Sequence, residues 1–264
     1  MCIYITSDNG LCNRLSILCA HSVYQGRGCK LGREDCRVYV RWNVNDHCNG
    51  RFEEIFEGID NVSFVKNYSE IGFEVPRYIA SDNVINVFRN YYRVDIDYEG
   101  ECRVYGILKF RGDIQNIVKD FIEVNFGRKT VGLHIRRTDD VDAARRWGNY
   151  TSDEDFDRII ESELSENGDT KFYLSTDNEE TQRRYRERYN DSIVYYRGID
   201  SSDNLRQTSL RDAGIDLCLL SYCHHVEGSF HSTFTRLAIM LNLNFRGEYG
   251  MAGEELRRYF FRSK

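Results

Sequence analysis

The period of the apolar positions changes repeatedly along the chain, and each change marks an element. "CIYIT" (2–6) alternates β-branched and aromatic residues and predicts a strand. "SDNG" then reads as a loop, and helical spacing runs over 12–25. "CRVYVRW" (36–42) and "NVSFV" (61–65) predict two further strands, with a short helix over 50–59 between them. Residues 67–105 are mixed, with strand-like pieces near 83–88 and 102–105. "DIQNIVKDFIEVNF" (113–126) returns to helical spacing and leads out of the first half.

The second half is more regular. "TVGLHIRR" (130–137), "KFYLSTD" (171–177), "SIVYY" (192–196) and "HHVEGSF" (224–230) predict strands. Helices are expected over 152–164, 178–189, 204–223 and 232–243, the first marked by a serine cap and an acidic first turn. Strands that alternate with helices predict an α/β fold with a parallel sheet covered on both faces. No internal repeat or low-complexity linker interrupts the chain. The joint between its halves is placed near residue 120, giving domains 1–120 and 121–264.

Composition narrows the class. With 264 residues the chain is long enough for one large domain or two small ones. Charged residues are 30% and hydrophobic ones 41%, the balance of a globular protein. A net charge of −6 argues against a general affinity for nucleic acid or anionic lipid, while leaving room for a local basic pocket. No apolar run reaches the length of a transmembrane helix, and the N-terminus lacks the basic and apolar regions of a signal peptide. Nine cysteines, with no CxxC pair and no zinc-like Cys/His spacing, read as reduced thiols in a cytoplasmic setting.

In an open α/β sheet, ligands bind outside the carboxyl ends of the strands. Those ends are followed here by "SDNGLCNRL", "TDD", "NEE" and "HST". In "VGLHIRR" the period of two puts Val131, Leu133 and Ile135 on one face, and His134 and Arg136 on the other. A histidine and an arginine on one side of a ligand edge suit an anion, since the guanidinium fork binds two phosphate oxygens at once. An acidic structural partner for Arg136 is the alternative. "GSFHSTFTR" runs a strand into a helix whose first residues are Ser232 and Thr233. Free backbone N–H groups and hydroxyls there suit a phosphate, and a plain serine cap fits equally well. On the helix over 204–223, Asp216 borders the stripe of Leu210, Ala213, Leu217 and Leu220 and needs a partner, for which Arg211 is a candidate. Two Asp-x-Asp pairs, at 95–97 and 155–157, read as solvated surface. Phosphate-loop, dinucleotide, serine-hydrolase and zinc-protease signatures are missing.

Four of these segments, taken in order and with their spacing, resemble the fucosyltransferase superfamily of GT-B architecture, most nearly the α1,6-fucosyltransferases. "HIRRTDD", "FYLSTDNEE", the run from Ser209 to Arg236, and "DNGLCNRL" carry the resemblance, which is clear over residues 129–242. It implies two Rossmann-like parallel-sheet domains with a cleft between them, the first on the acceptor side and the second binding the nucleotide sugar. It implies an inverting, metal-independent transfer of L-fucose from GDP-fucose to a glycan hydroxyl. Arg136 would bind the β-phosphate and stabilise the leaving GDP. His134 and Asp216 would hold the nucleoside, Asp216 facing guanine N–H donors. Ser232 and Thr233 would cap the pyrophosphate, and Asp177 would line the nucleotide side. Gly10 and Asn13 would let the first loop approach donor and acceptor, and Arg137 would give structural support. The sequence departs from the family at Asp140, where the family has lysine, and at Ala144, where the α1,6 enzymes have a glutamate. The base then falls to Asp142, with Asp139 and Asp140 behind it. Another nucleotide sugar on the same fold, or a non-catalytic glycan- or nucleotide-binding module, stay open as alternatives.

Overall fold

The computed structural model describes residues 2–6, 8–28, 37–67, 70, 84–88, 97–138, 141–146, 150–197, 209–230 and 232–261. The chain divides into two compact units, Met1–Arg111 and Gly112–Lys264.

The first unit contains β1 (Cys2–Thr6), α1 (Leu11–Gly28), β2 (Arg37–Arg41), β3 (Val62–Val65), β4 (Val84–Phe88) and α2 (Tyr98–Val104). Its four strands are all parallel and ordered β3-β2-β1-β4. Beside the sheet lies an aromatic cluster. Phe52 stacks on Phe64 at 4.8 Å and lies 5.2 Å from Phe56, which in turn meets Phe110 at 4.9 Å. This cluster explains why the helix expected over 50–59 is reduced to a single 3-10 turn, Phe52–Glu54. The backbone of Phe56 pairs with Phe110 in an antiparallel bridge, and a residue committed to that bridge cannot continue a helix.

The strand expected near 102–105 is also overturned. Asp97 caps a helix there by accepting from Gly100 N at 2.7 Å, with Glu99 and Glu101 in the first turn. The buried Cys102 and Tyr105 then stand at helical spacing rather than strand alternation.

The second unit holds α3 (Gly112–Asn125), β5 (Thr130–Ile135), α4 (Val141–Arg146), α5 (Asp153–Glu166), β6 (Lys171–Thr176) and α6 (Glu179–Tyr189). It continues with β7 (Ile193–Val194), α7 (Leu210–Ser221), β8 (Val226–Gly228), α8 (Thr233–Arg246) and α9 (Ala252–Phe261). Its strands are parallel too, in the order β7-β6-β5-β8. One face of this sheet is a closed apolar core of Val131, Leu133, Ile135, Phe172 and Leu174 against Phe156, Ile160 and Tyr185. The period of two therefore works as expected, and the opposite face of β5 and β6 is left for Gly132, His134, Tyr173 and Ser175.

The joint falls at residues 111/112, ahead of α3 rather than inside it. Phe121 and the following Phe126 pack edge-on or tilted against Tyr173 of β6, at 5.8 and 5.9 Å, and Arg211 of α7 binds Asp113 of α3 at 2.7 Å. These contacts tie the whole helix to the second sheet. Asp157, expected on the surface, is buried instead. Its carboxylate accepts from Arg184 at 2.7 Å, Arg188 at 2.8 Å and Tyr189 at 2.9 Å, a satisfied charge that joins α5 to α6. Of the other Asp-x-Asp pair, Asp95 lies outside the described residues and Asp97 is the cap just described.

Candidate functional site

β5 brings His134 to the carboxyl edge of the second sheet, where the register sets it beside Ser175 of β6 on one side and Gly228 of β8 on the other. The ring is buried, shares a 2.7 Å hydrogen bond from Nδ1 to Thr235 Oγ1, and stacks on Phe234 at 4.7 Å. Burial first, and the Arg136 charge second, push its pKa down to about 3. His134 is therefore a neutral, oriented imidazole at ordinary pH. Of the two groups expected to meet an anion here, His134 therefore contributes no charge, and Arg136 is the cationic one.

Arg136 is half-buried, and its backbone N–H donates to Ser229 Oγ at 2.9 Å. Ser229 N in turn donates to the His134 carbonyl at 2.9 Å, which extends the β5–β8 pairing past the strand ends. Gly228 makes this approach possible. A Cβ there would meet Thr235 side-chain atoms at 2.5 Å, the same side chain that holds His134.

Ser232 caps α8 by accepting from Thr235 N at 3.3 Å, so the plain-cap function is in place, and Thr233 beside it is exposed. His231 lies outside the described residues.

Asp216 sits on α7 over β6. Its Oδ1 accepts from Tyr173 Oη at 2.5 Å and its Oδ2 from Ser175 Oγ at 3.0 Å. Arg211, the partner suggested by the sequence, turns to Asp113 instead. Burial with only neutral donors raises the Asp216 carboxyl to about 6, the two hydroxyls holding it lower than burial alone would. His134 and Asp216 are thereby linked across a strand: His134 pairs in register with Ser175, and Ser175 donates to Asp216.

Asp177 and Arg137 serve the turn after β5. Asp177 Oδ1 accepts from Arg137 N at 2.8 Å and its Oδ2 from Thr138 Oγ1 at 2.5 Å. The Arg137 guanidinium binds Asp153 at 2.7 Å and lies over the Tyr150 and Phe156 rings. Asp177 thus positions the strand end that carries Arg136. Asp142 lies on the six-residue α4 with its side chain 90% exposed, 4.0 Å from Arg145. Asp139 and Asp140 lie outside the described residues.

Gly10 and Asn13 belong to the first unit, at the β1–α1 junction. The Gly10 carbonyl accepts from Arg14 N at 3.2 Å and Asn13 is half-buried in the first turn of α1. The residue that organises this loop is Arg14, only 2% exposed. It donates through Nε to the Asn9 carbonyl at 2.5 Å and through its terminal nitrogens to the Asn43 carbonyl at 2.5 Å and Asn45 Oδ1 at 3.0 Å. It also lies 5.2 Å from the centre of the Trp42 ring. Asn43 and Asn45 donate to Asp8, closing the loops after β1 and β2 on one another. A charged residue in the apolar pattern "LCNRLSILC" is the signal that would have found Arg14, since a buried guanidinium needs partners. Likewise the alternation of "FYLST" already places Tyr173 and Ser175 on one face.

Two all-parallel sheets of matching strand order, each with helices between its strands, define an α/β protein of two Rossmann-like units. Known structures make the fold specific. NodZ α-1,6-fucosyltransferase soaked with GDP-fucose matches with a TM-score of 0.60 and 16% identity, covering 91% of this chain and 92% of that one. The fucosyltransferase NodZ from Bradyrhizobium matches with a TM-score of 0.61 and 17% identity over 90% and 92%. POFUT1 in complex with GDP matches with a TM-score of 0.59 and 10% identity over 92% and 94%. The chain has the GT-B fucosyltransferase fold. No protein-family profile and no curated protein sequence matches it. No described helix is long and apolar enough to cross a membrane.

Proposed function

We propose that this protein is an inverting glycosyltransferase that moves L-fucose from GDP-fucose to a glycan hydroxyl without a metal ion. The observation that carries the reading is the linked set His134–Ser175–Asp216 beside Arg136 and the α8 start, at the edge where α/β sheets bind ligands, in a chain that shares the fold of NodZ and POFUT1. In this reading Arg136 neutralises charge that grows on the departing diphosphate, as a preorganised donor acts most strongly on a transition state. The neutral His134 ring and the Asp216 carboxylate hold the nucleoside, Asp216 accepting from guanine N–H groups. Ser232 and Thr233, with the free N–H groups of α8, cap the pyrophosphate. Asp177 keeps the β5 end, and so Arg136, in place. The first unit takes the acceptor, with Gly10 and Asn13 in its first loop, and Asp142 is the candidate base. The reading includes a reducing, cytoplasmic setting, in which thiols stay reduced; six of the described cysteines are buried.

Thermal shift with GDP, UDP and GDP-fucose tests the donor, because a ligand stabilises the folded state in proportion to its excess over Kd. Stabilisation by GDP and GDP-fucose is expected, and stabilisation by UDP alone defeats the assignment. The exposure of Asp142 favours one second reading, a module that binds the nucleotide without transfer. Mass spectrometry of products over a panel of glycans separates the two: GDP binding with no fucosylated product supports the module.

A further inference from the structure

Asp216 is a carboxylate with an unusual set of partners. No described arginine or lysine is bound to it; both oxygens are met by neutral hydroxyls, and both hydroxyls come from one strand. Tyr173 and Ser175 are two apart in β6 and so point the same way. Neither is free to move. Tyr173 is fully buried, wedged by Phe121 and Phe126 and lying one register step from Ser175, whose side chain is buried as well. An arginine would give a tighter ion pair. Two fixed hydroxyls instead occupy one lone pair on each oxygen and leave the others available, with the carboxylate plane set by the strand.

Resting on the nucleotide reading above, we infer that Tyr173 and Ser175 are positioning residues for base selection: they fix the plane of the Asp216 carboxylate so that its remaining lone pairs accept from two adjacent N–H donors, as guanine presents. Adenine and uracil do not present that pair, and hypoxanthine lacks its amino half.

The charged surroundings leave this control to the two hydroxyls. Asp212, one turn earlier on α7, opposes ionisation, and its own carboxylate is turned to Ser209 and Arg197. From α3, Asp113 is bound to Arg211. Beside Tyr173 stand Cys223 and Tyr196, whose negative forms would only disfavour a tyrosinate. The charged residues of α8 are Arg236 and Arg246, and Arg246 is bound to Glu248. Burial raises the Asp216 carboxyl to about 6 and the hydroxyl bonds counter that rise, so removing one bond moves the ionisation midpoint upward.

The test uses the full chain as wild type, Tyr173→Phe and Ser175→Ala, titrated with GDP and inosine diphosphate from pH 5.5 to 8 while the Asp216 carboxyl is followed by 13C NMR without ligand. In Tyr173→Phe we expect GDP affinity about tenfold lower near pH 6, as for the loss of a hydrogen bond to a charged group, with the gap narrowing toward pH 8. The preference for GDP over inosine diphosphate falls in both variants, and the carboxyl midpoint moves up. Unchanged affinity, or an equal loss at every pH with an unmoved midpoint, overturns the inference, the second because generic packing damage has no pH signature. A midpoint that moves in a protein binding neither nucleotide overturns the nucleotide reading and its base selection, while the hydroxyls' hold on Asp216 stands.

Discussion

The two sheets share one strand order, yet their carboxyl edges are built from different materials. In the first unit a single buried arginine, Arg14, gathers two main-chain carbonyls and one asparagine oxygen, and the loops after β1 and β2 are clamped to it. In the second unit the edge joins side chains of four elements in two pairs: His134 shares a hydrogen bond with Thr235, and Ser175 donates to Asp216, whose described partners are neutral hydroxyls. The first edge spends its cation on holding the backbone. The second holds its backbone with the Ser229 hydroxyl and the Asp177 clasp on Arg137 and Thr138, and the Arg137 guanidinium is committed to Asp153. One strand order thus closes its loops with a buried cation at one edge and with hydroxyls and a carboxylate at the other.

The comparison breaks most sharply at Arg136. If the proposed function holds, Arg136→Ala lowers fucosyl transfer at least about 100-fold with the melting temperature little changed, because its charge would act on the transition state. Near-normal turnover, measured with GDP-fucose and a responsive acceptor, would defeat the assignment. Arg14→Ala does the opposite. It leaves three acceptors without their donor and is expected to cost about 3 kcal/mol, read by denaturant unfolding with hydrogen exchange faster in β1 and β2 and unaltered in β5 and β6. Gly228→Ala comes next. Its new methyl drives into Thr235, and overpacking of this kind costs about 2 kcal/mol; the second unit should lose both stability and nucleotide affinity as Thr235 leaves His134.

A smaller effect lies in the pH dependence of the second unit. His134 has a folded pKa of about 3, below the usual histidine range, so the unfolded chain binds more protons and stability rises with pH toward about 6.5. Asp216 has the opposite sign. Its folded value of about 6 lies above the ordinary 3.8, the folded state binds more protons, and stability falls as pH rises from about 4 to about 6. The two slopes oppose one another in wild type. Asp216→Asn should expose the rise due to His134, and His134→Gln the fall due to Asp216, in melting curves taken between pH 4 and 7. Parallel curves for all three proteins would show that these groups are not perturbed by the fold. Smallest of all, Asp142→Asn should leave stability within about 0.5 kcal/mol of wild type, since its side chain is 90% exposed. Its turnover decides whether that carboxylate is the base.

Much of this was legible in the residues. The alternation in "VGLHIRR" placed His134 and Arg136 on one face and the core residues on the other, because a strand has a fixed period. Helix starts with a serine and acids were placed to within a residue or so, because capping is local. The misreadings came where partners are distant. Phe56 gives up helix for a bridge to Phe110, far along the chain. The buried Asp157 needed arginines from the next helix, and the segment 102–105 followed a cap that its own alternation concealed.

By itself, then, the sequence determined the elements, the parallel α/β class and the edge at which the charged motif would emerge, since period, capping and strand polarity are properties of neighbours along the chain. Tertiary structure alone decided which charges are consumed. Arg211 went to Asp113, Arg137 to Asp153 and Arg14 to the loop carbonyls, and burial made His134 neutral while leaving Asp216 to two hydroxyls of one strand. Ion pairing and desolvation depend on distance and dielectric in the folded molecule, and neither is written in the order of the residues.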